Sequence, residues 1–441
     1  MAESLTLKTL NHSVAGQAAA FRCRRRLQPA GGEGDKVFPP TFAGAVYAIE
    51  QRRLPGSDTP VSCVLLDSVQ SQANRMELAL QEAVNAGKIK LPIVEVDFSE
   101  YEPTGDVGAD EKADRLIEAV GKITSLQVPH RIADAILRDS ELDGVRFRQS
   151  EIGKALNAIS LANATPLFEL CPTALLFGMW DSTGPKGGLG PKFERAVVSE
   201  ISGIGAEFGI KTQSRVDPLI TKTTGIPLYQ KIGGGWTLNE KEAFRKGGKA
   251  VKLGKEGKTS EANLGNVTPA FHKYGKGAEG IDPLTNEQAR EGRIAPGGVT
   301  IEYAEQVTTL SLICLRRLHF PLNGKTGDAT DKVARTVLAA LGLCSATLAF
   351  EAGVGLRSRS LLWPDGSMIW ELLERPGTPA REFELTGEQA IALLNETIAT
   401  GKKSGLTWRE DPVTLKPSAE LLKLVRLSQL QATKEGTGEE A

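Results

Sequence analysis

The sequence predicts an α+β fold built on an antiparallel sheet, and three observations carry that expectation. Strand-like apolar runs interleave with segments of helical period, and the turn signals are those of hairpins rather than of regular βαβ crossovers. A composition of 40% hydrophobic, 24% charged and 5% aromatic residues over 441 positions describes a soluble globular chain with room for roughly three units.

In order along the chain, Pro60 to Asp67 reads as a buried strand. Val69, Ala73, Met76, Leu80 and Ala83 then form the apolar face of a helix opened by Asp67 or Ser68 and closed by Gly87. Ser150 caps a second helix with Ile152, Ala155, Leu156 and Ile159 on one side. After Thr165-Pro166, Leu167 to Trp180 and Phe193 to Ile204 read as two strands joined by the loop Asp181 to Lys192. From Lys211 to Gly298, Gly, Lys, Thr and Pro alternate with few large apolar residues, which predicts an extended or mobile insertion without a core of its own. Apolar density returns at Val299 with a strand through Val307, a Leu-rich stretch ending at Leu318, and a helix presenting Val333, Val337, Leu338 and Leu341. Val354 to Trp363 and Ser367 to Leu373 flank Pro364-Asp365-Gly366, a hairpin signal. Thr386, with Gln389, and Ser418 cap two further helices, and Lys434 to Ala441 reads as a disordered tail. The expected division is 1–210, 211–298, 299–433 and 434–441.

Several classes fall away. The longest uncharged stretch, Thr336 to Phe350, is 15 residues and contains Ser, Thr and Gly, which predicts no bilayer span. Met1 to Ser13 lacks the pattern of a secretory signal, so a cytoplasmic address is expected. The five cysteines and four histidines are scattered, without zinc-type or disulfide-type spacing, so no metal or other cofactor is expected.

A net charge of −1 conceals segregation. Glu95 to Glu118 carries nine acids against two bases, whereas Lys211 to Gly280 carries 13 bases against six acids. Arg22, Arg24, Arg25 and Arg26 make a further basic focus beside Phe21. An anionic partner, and copies that meet basic side to acidic side, would use such a layout.

The loop Asp181 to Lys192 offers Gly187 and Gly188 for close backbone approach to a phosphate, with Lys186 and Lys192 as charges; its glycines equally suit turn geometry alone. Its spacing fits neither a Walker A loop nor G-x-G-x-x-G, which counts against a nucleotide-binding enzyme. Arg146 with Arg148, and Arg357 with Arg359, stand at alternate positions, where an extended strand would aim both guanidinium groups at successive phosphates; surface ion pairs are the other reading. Arg195 and Lys154 would extend that surface, and Arg75 sits in a polar cluster with Gln72 and Asn74 that is either a solvated face or a second backbone-binding patch. No catalytic constellation can be read: His12 and His272 are weak candidates for RNase-type chemistry, and Asp181 is a lone carboxylate where a Mg²⁺ site wants several oxygens.

The block Arg146-Phe-Arg-Gln-Ser150 through Leu176-Phe-Gly-Met-Trp-Asp-Ser-Thr183, then Lys186 to Arg195 and Ser199-Glu-Ile-Ser-Gly203, resembles the signature of the CRISPR-associated RAMP backbone protein of type I-U (I-G) systems. Leu66 to Glu77 and Thr309 to Leu318 resemble the same family, in the same order. The resemblance implies an RRM-like (ferredoxin-like) palm with finger and thumb insertions, and a non-catalytic subunit that polymerises along the spacer of a CRISPR RNA in a Cascade complex. It implies as partners the CRISPR RNA, the target DNA strand, neighbouring copies, a fused processing subunit and a large subunit, and no membrane. A scaffold that accepts any guide must hold phosphates and 2′-hydroxyls and leave base edges free. The expected RNA contacts are Arg75, Arg146, Arg148, Lys154, Lys186, Gly187, Gly188, Lys192, Arg195, Arg357 and Arg359, with Lys222, Lys231, Lys249 and Lys252 as a nucleic-acid clamp. The alternative is a RAMP-superfamily endoribonuclease acting on precursor or target RNA through Asp181 or a histidine.

Overall fold

A computed structural model of the chain describes residues 2–42, 46–105, 115–184, 187–209, 212–215, 226–262, 264, 267–271 and 297–437. The fold is α+β. Among the described residues the larger sheet has ten strands: β1 (Glu3–Ser4), β2 (Ala20–Pro29), β3 (Ile49–Arg52), β4 (Val61–Asp67), β5 (Val197–Ile204), β6 (Tyr303–Ser311), β7 (Val354–Arg357), β8 (Ser360–Pro364), β9 (Ile369–Leu373) and β10 (Arg381–Glu384). Their order is β1-β10-β9-β2-β6-β5-β4-β3, antiparallel except at the β1–β10 edge, with β8 also on β2 and β7 on β8. The segments before 210 and after 299 therefore interleave in one sheet.

Five helices frame the argument: α1 (Leu7–Ala15), α2 (Val69–Asn85), α3 (Asp328–Glu351), α4 (Gly387–Lys403) and α5 (Ala419–Thr437). Alternation along β2 sends Phe21, Cys23 and Leu27 into the core, which also takes Met76 and Leu80 of α2 and Leu338 and Leu341 of α3. Arg22, Arg24 and Arg26 take the opposite face. Ser68 caps α2 by accepting from Ser71 N, and Thr386 and Gln389 form the expected capping box on α4. α3 is longer than the uncharged stretch suggests. With a mean hydropathy of 1.7 it is long and apolar enough to cross a membrane, but 83% of that window is buried inside the molecule.

Four local expectations are corrected. Leu167 to Phe177 is helical, as Thr165–Leu170 and Thr173–Phe177, because an unbroken apolar run suits a buried helix as well as a buried strand. Pro364-Asp365-Gly366 does not turn a hairpin: β8 and β9 follow one another along the same edge of β2, and Asp365 N donates to Arg26 O between them. The hairpin turn lies at Ser358-Arg359 instead, between β7 and β8. α5 runs to Thr437, past Lys434 where the tail was expected to begin. The Gly/Lys-rich stretch contains short antiparallel ribbons, Tyr229–Gln230 with Trp236–Thr237 and Arg245–Lys246 with Lys249–Ala250, packed around Leu228 and Ala243.

A second sheet, in the order Val145–Arg146, Ser140–Leu142, Val413–Pro417, Val94–Asp97, Lys122–Thr124, carries the candidate site at its edge.

Candidate nucleic-acid interface

The expected arginine pairs do not share a face. The strand ends at Arg146, and Phe147–Gln149 turns as a 3₁₀ helix with Phe147 buried, so the two guanidinium groups part. Arg146 stays exposed. Arg148 turns inward, where its Nη2 donates to Asp181 Oδ2 at 2.5 Å and to Asn157 Oδ1 at 3.1 Å. Ser150 then caps Glu151–Ala155, and Gly153 is required there because a Cβ would lie 1.8 Å from Phe147 O. This turn places Lys154 on the rim of a cavity of about 430 Å³ that Arg138, Arg148, Asn157 and Asp181 also line.

The same loop has a second side. Met179–Trp180 pairs with Lys192–Phe193, Met179 opposite Phe193 and Trp180 opposite Lys192. Met179 and Phe193 point inward; Trp180 and Lys192 point out, with Lys192 Nζ 5.6 Å from the indole centroid. Exposed Arg195 and His130 border a cavity of about 290 Å³ on this side. Its wall is held by Arg131, which has φ +51° and donates to both carboxylate oxygens of Glu77 at 2.7 Å and to Gly178 O at 3.0 Å. Burial pushes the Glu77 carboxyl up to about 7, against the pull of the Arg131 guanidinium. Gly178 takes φ +80°, and a Cβ there would press on Phe193 O at 3.0 Å.

Lys154, Lys192 and Arg195 are thus exposed cations on the two sides of one loop, with no ion pair to a carboxylate among the described residues, whereas exposed Arg146 lies close enough to Asp139 to help hold its carboxyl below the usual range. Gly187 and Gly188 lie at the tip with open space about them. Lys186, Lys222 and His272 lie outside the described residues. Lys231, Lys249 and Lys252 are exposed on the ribbons, beside half-exposed Trp236 and Phe244.

Arg75 and Arg357, expected as RNA contacts, are both partly exposed and tied to Asp67 and to backbone carbonyls. Asp67, 1% exposed, accepts from Ser71 Oγ at 2.8 Å, Gln72 Nε2 at 2.6 Å and Arg75 Nε at 2.9 Å, with Arg357 Nη2 at 3.6 Å. Arg75 also donates to Gly355 O and Leu356 O, and Arg357 to Phe38 O and Leu66 O. The polar cluster around Gln72 likewise faces inward: Gln72 Oε1 accepts from Ser199 Oγ and Gln306 Nε2. Arg359, at φ +59°, lies exposed over the Phe38 ring at 4.4 Å.

Two of the four arginines of the basic focus on β2 are ion-paired. Arg22 pairs with Glu371 at 2.7 Å, Arg24 with Glu305 at 2.5 Å, and Arg26 lies over Tyr303 at 3.8 Å, while Arg25 points the other way, over Phe350. Asp181 is 3% exposed and bound to Arg148, and no group of three His, Cys, Asp or Glu side chains suited to a metal ion occurs among the described residues. His130, Arg131, Arg138 and Trp180 escaped the sequence reading as site residues. For Trp180 a signal existed, since a Trp in strand alternation with inward Met179 and Phe193 must face out.

Residues 21–208 match a family model described as CRISPR-associated protein GSU0053. The match spans the whole loop and both cavities, under half of the 441 residues. No curated protein matches the chain.

Proposed function

We propose that this chain is a non-catalytic RNA-binding subunit of a type I-U/I-G CRISPR surveillance complex, acting in the cytoplasm and polymerising along the spacer of the CRISPR RNA. The observation that carries the reading is the placing of exposed Lys154 on one side and of Lys192 and Arg195 on the other side of the glycine-rich loop, inside the stretch that matches the CRISPR-associated family. Exposed cations and a loop tip open to close backbone approach suit a sugar–phosphate strand of any sequence.

The strand order supports an RRM-like palm. Taken alone, β2, α2, β5, β6, α3 and β9 follow one another as β-α-β-β-α-β in the antiparallel order β9-β2-β6-β5, the ferredoxin-like arrangement with β4 and β3 added at one edge. On the outer face of β2, Arg22 and Arg24 are paired with Glu371 and Glu305, which favours the 180s loop over the sheet as the RNA-binding surface in this reading. The exposed lysines of 226–262 suit a grip on the guide or on the target DNA strand. Neighbouring copies, a processing subunit and a large subunit complete the proposed assembly. The endoribonuclease alternative depends on Asp181, whose charge Arg148 offsets, or on a histidine.

Purification of the full chain from cells carrying a CRISPR array tests the reading. Co-purifying RNA of discrete length, detected by the 260/280 nm absorbance ratio and sequenced as spacer, is expected; nucleic-acid-free protein that ignores added RNA contradicts it.

A further inference from the structure

Trp180 is unusual for its place. It is 51% exposed, while the two side chains that bracket it across the ribbon, Met179 and Phe193, are 7% and 4% exposed. Alternation in a two-residue ribbon throws Trp180 and its partner Lys192 onto the outer face together, so the indole cannot enter the core without flipping the register. The cavity beside it, about 290 Å³, is at the low end for small-molecule sites, and of a size for one heterocycle. Its rim carries Lys192, Arg195 and His130.

The wall is also rigid. Arg131 sits in the left-handed region, which a non-glycine residue holds only when its surroundings dictate it, and here they do: a buried two-point pair with Glu77 and a bond to Gly178 O. That bond fixes the residue from which the Met179–Trp180 strand starts. An exposed aromatic ring on a braced strand, beside cations, is the arrangement that stacks a flat π-system whose neighbour is a phosphate.

We propose that this cavity receives one unstacked nucleobase of the bound RNA, with the Trp180 indole as its stacking surface and Lys192 on the adjoining phosphate. The proposal rests on the RNA-binding reading above and extends it from the backbone to a base. Stacking uses the π-face, which every base has, so such a subsite stays indifferent to sequence. It also discriminates against a continuous duplex, whose bases are already stacked on one another.

The test compares oligouridine with an abasic ribose-phosphate oligomer of equal length, by fluorescence anisotropy, on the parent and on Trp180→Leu, Trp180→Phe and Lys192→Ala, each first confirmed folded by thermal melting. Trp180→Leu is expected to weaken oligouridine binding about 5- to 150-fold and to leave abasic binding unchanged. Trp180→Phe retains most of the affinity, and Lys192→Ala weakens both oligomers. Equal loss on both oligomers with Trp180→Leu, or loss on neither, overturns the stacking site; in the second case a surviving effect of Lys192→Ala leaves the backbone reading standing. A parent that binds neither oligomer overturns both.

Discussion

Arg148 Nη2 and Asp181 Oδ2 meet at 2.5 Å, joining the 3₁₀ turn after Arg146 to the start of the glycine-rich loop, with side chains only 12% and 4% exposed. The pair fixes where the loop begins, so the charges around it inherit their positions from a buried contact. Truncating one partner leaves the other charged and desolvated, which costs about 3–5 kcal/mol. Arg148→Ala is therefore expected to lower the melting temperature markedly, and the double variant Arg148→Ala/Asp181→Ala to recover part of the loss. A double variant less stable than either single one contradicts the pairing.

Asp67 organises the other end of α2. Since Arg75 and Arg357 are spent on Asp67 and on four backbone carbonyls, Arg75→Ala and Arg357→Ala are expected to cost on the order of 1–3 kcal/mol each in urea unfolding, through acceptors left unpaired. The salt dependence of RNA binding should stay at the parent value. A shallower slope would return either arginine to the RNA surface.

Glycines 153 and 188 separate packing from binding. Gly153→Ala drives a Cβ into Phe147 O and should destabilise the chain, whereas a Cβ at Gly188 meets nothing within 4 Å. Gly188→Ala is expected to melt within about 0.5 kcal/mol of the parent and to bind RNA more weakly, because the added methyl stands between backbone and phosphate. Unchanged affinity would remove the loop tip from the contact surface.

Glu77 supplies a pH signature. Its carboxyl titrates near 7 in the folded chain against an ordinary value of 4.5, so the folded state holds a proton that the unfolded state has released between those limits. The stability this contributes is complete below about 4.5 and lost as pH rises through 7. Glu77→Gln lacks that slope. The stability gap between parent and variant should therefore narrow from pH 5 to pH 8 in urea titrations, and a gap that widens reverses the assigned direction.

What the sequence made legible was local. Ser68, Ser150 and the Thr386/Gln389 box could be read because a cap and the amide it bonds lie within three residues. The strand expected across Leu167 to Trp180 failed where periodicity is silent, in a run apolar on all sides, whereas the one expected over Phe193 to Ile204 is present as Val197–Ile204. The arginines divided on a longer scale. Whether Arg357 faces solvent depends on Asp67, 290 positions earlier, and no local pattern carries that information. Arg146 and Arg148 parted because the strand supposed to align them stops between them. Lys192 and Arg195 are exposed beside the loop from whose closeness in sequence they were read, and Lys154, read from its place one turn into the helix after the arginine pair, is exposed on the loop's other side.

The central claim is that exposed, unpaired cations around the 180s loop hold an RNA backbone. Its most direct measurement is the affinity for a single-stranded RNA across a salt series, for the parent and for Lys154→Ala/Lys192→Ala/Arg195→Ala. Each lost phosphate contact lowers the log–log slope by about 0.7, so a slope shallower by about 2 is predicted. Equal slopes for the two proteins would contradict the account.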